Sequence, residues 1–263
     1  VVLAGLSLIP GILAGQALER GRDAVEAGRT ALLNLEAGSK AGESFAVAEA
    51  AFRDARRWAE NPLIRLEGLI PILGRTPDAI GRLARAGQRI ATAGSALSQG
   101  VSAIPGGLPG LAPRGGRLPI ETIQTLAPAV ARARRELEAS EREVRPINAA
   151  WTVPPVGEAT ALVRSELGEA LALIRPADAI LTGLPDLAGV DGKRRYFLAA
   201  ENPAEARGTG GIIGLYSIMT IDDGHIDIGP FHDRPPPSLK PGALMPPPDL
   251  TSPYTGFNSA TFW

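Results

Sequence analysis

Apolar residues recur in alternating steps of three and four through the first two thirds of the chain, then change to a spacing suited to strands. Leu18, Gly21, Val25, Gly28, Leu32 and Leu35 share one seam. Phe45, Ala48, Phe52, Ala55 and Ala59 form the next, opening just after Glu43 and Ser44. A third runs Ile80, Leu83, Gly87, Ile90, Gly94, Leu97, and a fourth Ile123, Leu126, Val130, Ala133, Leu137, Ser140, Val144, Ile147. Such spacing holds a narrow stripe on one side of each helix, as bundles and coiled coils require. Glycine and alanine on the seams let backbones approach closely, at some cost in helix propensity. A last amphipathic helix is predicted around residues 156 to 174. The remaining faces, rich in Arg, Glu and Ala, read as solvated surface. Glu141 and Glu143 fall on different helix faces, and Asp54, Glu60 and Glu67 lack a spacing suited to a metal.

Breakers punctuate this part. Gly38 to Gly42 is predicted to separate the first two helices, and Asn61-Pro62 to end the second. LIRLEGLIPILG, residues 63 to 74, reads as a short apolar connector. Thr76-Pro77-Asp78 reads as a helix start, with threonine capping and proline in the first turn. Residues 100 to 119 carry four prolines and are predicted to form an exposed loop.

After Asp191-Gly192 the period is that of strands: 196 to 200, then 212 to 221, then about 225 to 228. In the second, Ile213, Leu215, Met219 and Ile221 face one way and Ile212, Tyr216 and Ile218 the other, which predicts a central strand covered on both sides. Asp223-Gly224 is a two-residue hairpin turn, since glycine accepts positive φ. His225 and His232 read as exposed loop residues. The fold class expected is a mainly α-helical bundle or stalk followed by a smaller α/β domain, incomplete, with a mixed or antiparallel sheet. Its parts are an anchor at 1 to 18, the bundle at 19 to 185, and the α/β start at 191 to 263 with a proline-rich loop at 235 to 248.

The anchor rests on VVLAGLSLIPGILAGQAL, which has no charge before Glu19. Eighteen helical residues span about 27 Å, close to the roughly 30 Å hydrocarbon core of a bilayer. The run opens without a methionine or a basic flank, so the chain is expected to start part-way into this anchor. An apolar core helix is the alternative, and a cleaved signal peptide fits less well because the helical pattern continues past it.

Composition narrows the chemistry. Of 263 residues, 44% are hydrophobic and 21% charged, enough to bury a core. A net charge of −1 offers no general attraction to nucleic acid, which is therefore not an expected partner. There is no cysteine, which removes disulfides, thiolate metal sites and cysteine nucleophiles. Two histidines leave little room for a multi-histidine metal site or a histidine triad.

The most distinctive stretch is KRRYFLAAENPAEARGTGGIIGLYSIMTIDDGHI, residues 193 to 226. It resembles the signature of the bacterial domain-of-unknown-function family 4012 in Glu201, Asn202, Glu205, Arg207, Thr209, Gly210, Gly211, Ile213, Gly214, Tyr216 and Gly224. It departs in Glu201, where the family often has glutamine, and Ile212, where it has an aromatic. NPLIRLEGLIPILGR, residues 61 to 75, is similar to the connector between that family's helices. The resemblance implies a membrane-anchored protein of the bacterial cytoplasmic membrane, with its bulk on the extracytoplasmic side. It implies no established activity. It also implies further chain beyond Trp263, and a three-stranded sheet is too small to bury both faces alone; a protein partner is the other way to cover it.

Two functions follow as expectations. The first is a non-enzymatic envelope protein with a structural, assembly or interaction role, held to membrane lipid by its N-terminal helix and needing no cofactor. The second rests on a looser resemblance to the LytR-CpsA-Psr group, which transfers lipid-linked glycopolymers. That role would need Arg207, Thr209, Gly210 and Gly211 on a pyrophosphate, and Asp222 and Asp223 on a magnesium ion. The RGTGG hinge lacks the Gly-Lys-Ser/Thr ending of a phosphate loop and leads into a strand, so a strand corner with Arg207 paired to Glu201 or Glu205 is the simpler reading. As a corner, Gly211→Val should damage folding while Arg207→Lys leaves assembly intact. As a site the order reverses, because lysine cannot replace a bidentate arginine. Thermal melting of both variants beside retention of a pyrophosphate-bearing lipid decides between them.

Overall fold

In a computed structural model of the protein, the described residues are 2–33, 38–60, 75–148, 152–202 and 212–233, with the backbone alone described at 2–14, 33, 38–39, 75, 108, 201–202 and 212–213. The chain divides into two compact units, residues 1–114 with 118–185, and residues 115–117 with 186–263. The fold is mainly helical, followed by a small antiparallel sheet.

The helical unit holds α1 (Val2–Leu33), α2 (Gly38–Ala59), α3 (Arg75–Ser102), the short α4 (Ile120–Gln124), α5 (Ala127–Val144) and α6 (Pro154–Leu187). Its first three helices pack through aromatic rings seated on glycines. The Phe52 ring meets Gly21 of α1 and Gly87 of α3, where an added Cβ would lie 2.7 and 2.5 Å from it. One heptad away, the Phe45 ring sits between Gly28 and Gly94; a Cβ at Gly28 would lie 2.9 Å from it, and one at Gly94 closer still. Real Cβ atoms do not approach that closely, so only glycine fits at these four positions. Seven residues make two turns, about 10.5 Å of rise, which sets the distance between the two levels. Buried alanines, among them Ala17, Ala48, Ala55, Ala84 and Ala91, fill the space between.

On a second side, α3 turns Leu83, Ala86, Ile90, Ala93 and Leu97 to a larger core. There they meet Val130, Ala133, Leu137 and Val144 of α5 and Leu167, Leu171, Ile174 and Leu181 of α6. The helix therefore buries two faces, where its sequence seam predicted one narrow stripe. Ser140 is fully buried where α5 crosses α3, and its hydroxyl donates to the Ala86 carbonyl at 3.0 Å, so no polar group is stranded.

Ion pairs join the same helices at their margins. Arg85 reaches Glu143 and Glu60, Arg89 reaches Glu136, and Arg134 bridges Asp178 and Glu138. Arg175 pairs with Glu138 and Glu141. Burial works against ionised Glu138, but hydrogen bonds and charge from Arg134 and Arg175 outweigh it and hold its carboxyl below the usual range. These charges, expected on solvated faces, instead tie helices together, because long arginines can lay their stems over the core edge while the guanidinium stays wet. The Arg164 guanidinium donates to the carbonyls of Val144, Arg145 and Ile147, around the C-terminal end of α5.

Several boundaries differ from expectation. Residues 38 to 42 are helical and not a separator: Gly42 lies where α2 passes Ser98 of α3, a Cβ there falling 3.3 Å from the Ser98 hydroxyl oxygen. α3 begins at Arg75, ahead of the Thr76 cap position. The fourth seam is buried as read, yet its helix is split near Thr125 and Leu126, with Pro128 in the first turn of α5. The last helix runs on past Ile174, through Pro176 to Leu187. Pro176 lies on the solvent side, where the Ala172 carbonyl it deprives of a donor can bond to water. The connector at 63 to 74 lies outside the described residues.

The second unit holds β1 (Arg194–Asn202), β2 (Ile212–Asp222) and β3 (His225–Ile228), antiparallel in the order β1-β2-β3. β2 is central as expected. Its cover is incomplete among the described residues, since Phe197, Leu215, Ile228 and Phe231 remain exposed.

Two glycines separate packing from propensity. Gly168 of α6 meets nothing within 4 Å of an added Cβ, so Gly168→Ala should stabilise by about 0.5–1 kcal/mol through helix propensity alone. Gly94→Ala carries the same gain but drives a methyl into the Phe45 ring, and overpacking of about 1–3 kcal/mol should leave it destabilised. Urea denaturation of the two variants checks this; stabilisation by both would contradict the ring-on-glycine packing.

Candidate functional site

The candidate residues cluster at the two ends of β2. At its start, Asn202 pairs with Ile212 and Glu201 with Ile213, with a register shift between Ala200 and Glu201. The nine residues between, 203 to 211, join neighbouring antiparallel strands. Arg207, Thr209, Gly210 and Gly211 all fall in that connection and lie outside the described residues, as do Glu205 and the proline-rich loop at 235 to 248.

At the other end, β2 turns into β3 through Asp223 and Gly224, with φ of 45° and 75°. Two positive φ values in succession make the turn that suits the twist of a hairpin, which is why Asp-Gly occupies it. The turn is held from two sides. The Asp223 and Gly224 N–H groups donate to the carbonyls of Gly189 and Ala188, at 3.0 and 2.8 Å. Gly189 itself has a φ of 71°, and a Cβ on it would fall 2.5 Å from the Ile221 carbonyl oxygen. From the other side Arg117 donates to the Asp223 carboxylate, pairs along the backbone with His225, and its neighbour Gly116 accepts from Ile226 N–H at 2.7 Å.

Asp223 is thus occupied by an arginine and Asp222 is exposed beside it. Among the described residues no group of three His, Asp or Glu side chains is placed to hold a metal ion. The structure brings Asp222 and Asp223 to one hairpin and adds a cation, Arg117, that the sequence did not suggest. The exposed Arg117–Asp223 pair contributes about 0–1 kcal/mol, a fastening more than a charge centre.

Both histidines are exposed as read; His225 lies in a strand and not in a loop, while His232 stands outside the strands in an isolated bridge. His225 opens β3, and His232 pairs with Tyr216, N–H to carbonyl at 2.8 Å and carbonyl to N–H at 3.0 Å. Between these, Gly229 N–H donates to the Ile218 carbonyl at 3.1 Å, and the buried Ser217 hydroxyl donates to the Gly229 carbonyl at 2.8 Å. Phe197, Tyr216 and His232 form a row of rings across the sheet, with centroids 5.5 and 5.1 Å apart. The loop at 100 to 119 is also more ordered than a solvated connection: it holds a 3-10 turn (Leu108–Leu111), buries Ile104, and lends residues 115–117 to the sheet. Gly115-Gly116 ahead of Arg117 was the available signal, since paired glycines allow the sharp turn that delivers the arginine.

Residues 191–263 match the model of a family described as a protein of unknown function (DUF4012), to which this part of the chain is similar. The match begins at Asp191, so the upstream connector at 61 to 75 stands outside it. No curated protein and no solved structure matches the chain.

Proposed function

We propose that this is a membrane-anchored protein of the bacterial envelope, its bulk on the extracytoplasmic side, with a structural, assembly or interaction role. The observation that carries the interaction role is apolar surface left without a partner on regular elements. Helix α6 leaves Leu173 and Ile180, seven residues apart, 76% and 60% exposed, and strand residues Phe197 and Leu215 are 51% and 43% exposed. Large apolar side chains repeated along one helix face mark contact surfaces more often than solvent-facing ones.

The anchoring part rests on the uncharged run at residues 1 to 18, whose backbone is continuous with α1. Most of that run falls among residues of which only the backbone is described. Among the described residues, no helix is long and apolar enough to cross a membrane. Support comes from the join: α1 passes without a break from the uncharged run into the turns that carry Gly21 and Gly28, so a membrane segment there would be rigidly coupled to the packed helices. No observation favours the glycopolymer-transferase reading; Asp223, one of its two magnesium candidates, is engaged by Arg117.

Alkaline carbonate extraction of cell membranes tests the proposal. The full chain should stay in the pellet, and a chain starting at Glu19 should be released while keeping its helical circular dichroism. Release of the full chain would contradict the anchored reading.

A further inference from the structure

β1 is an edge strand. One side of it pairs with β2 from Arg194 to Asn202, and among the described residues nothing pairs with the other side. Natural edge strands are usually short, charged, interrupted by proline or covered, because open N–H and C=O groups invite another strand. β1 has nine residues and no proline, and its middle, Tyr196 to Ala200, carries no charge. The opposite edge of the same sheet is treated differently: β3 has four residues and is closed by residues 115–117.

The residues of β1 are complementary to their own reversal. Pairing two copies antiparallel about Leu198 sets Arg195 opposite Glu201, a cation against an anion, twice per pair. The same register sets Tyr196 opposite Ala200 and Phe197 opposite Ala199, so each large ring faces a small side chain. Leu198 meets its own counterpart. Opposite charges and ring–small pairs directly across strands are the contacts that stabilise antiparallel ladders. We propose that β1 pairs edge to edge with β1 of a second copy of this chain, making one continuous six-stranded antiparallel sheet. The two-fold axis stands normal to the sheet at Leu198, so the face bearing Leu198, Leu215 and Ile228 continues across the junction. Three strands alone are near the lower limit of independent stability, whereas six is an ordinary sheet. This self-association does not depend on the protein's location.

The absence of cysteine gives a direct test. In the proposed register the two Leu198 Cα atoms lie about 4.5–5.5 Å apart, within disulfide reach. Leu198→Cys, as the full chain in mild detergent, should form a covalent dimer on gentle oxidation. Ala200→Cys should not, because its two copies lie roughly 14 Å apart along the strands. Sedimentation equilibrium should show the parent at twice the chain mass. Arg195→Glu should weaken the dimer at least about tenfold, and Arg195→Glu with Glu201→Arg should restore it. A chain monomeric at all concentrations overturns the proposal and leaves the edge to another part of the chain or a different partner. A dimer that resists Arg195→Glu, or whose Leu198→Cys form does not cross-link, also overturns it. Should Arg195→Glu fail to fold, the Leu198→Cys oxidation decides alone.

Discussion

The seating of two phenylalanine rings on four glycines sets the geometry of the helical unit. Phe45 and Phe52 project from α2 and are enclosed by Gly28 and Gly94, and by Gly21 and Gly87. A ring on a bare backbone draws two helices close, and the seven-residue interval fixes rotation and height together. α1 and α3 thereby run parallel with α2 reversed between them, since the level holding residue 45 also holds 28 and 94. The alanines of the seams follow from the same approach, because larger side chains would hold the backbones apart.

That closeness has a consequence for α3. With glycine and alanine on the side facing α1 and α2, its larger residues are free to face α5 and α6, and one helix supplies two cores. The two packings differ in kind. One is tight and made of small residues around isolated rings. The other interlocks leucine, isoleucine and valine, and is bordered by the Arg134, Asp178, Glu138 and Arg175 ion pairs.

Much of this was legible as pattern. The fourth seam names the buried positions of α5 from Val130 to Val144, and the second names those of α2, because each of those helices buries a single stripe. α3 was read as a single stripe too, and its second buried face escaped notice because alanine counts equally as surface or core. The last helix was expected to span about 156 to 174, but it runs on through Pro176, which lies toward solvent where its missing donor costs little. The hairpin at Asp223-Gly224 was legible since its backbone conformation admits few residues. Arg117 was not: it reaches Asp223 across 106 positions of sequence, and the Gly115-Gly116 turn ahead of it does not name its partner. The RGTGG hinge lies outside the described residues.

The functional reading draws on the same division between filled and open surface. Most apolar helix residues pack on each other, with Val47 of α2 and Leu173 and Ile180 of α6 left exposed, while among the described residues the sheet leaves a strand edge and several side chains without a partner. All of it presupposes that ring and glycine, and not propensity or general hydrophobicity, determine how α1, α2 and α3 meet. A double-mutant cycle between Phe45→Leu and Gly94→Ala tests that most directly. If the ring occupies the glycine slot, Gly94→Ala destabilises the parent and becomes neutral or stabilising once Phe45 is leucine, a coupling of at least about 1 kcal/mol. An equal effect of Gly94→Ala in both backgrounds would contradict it.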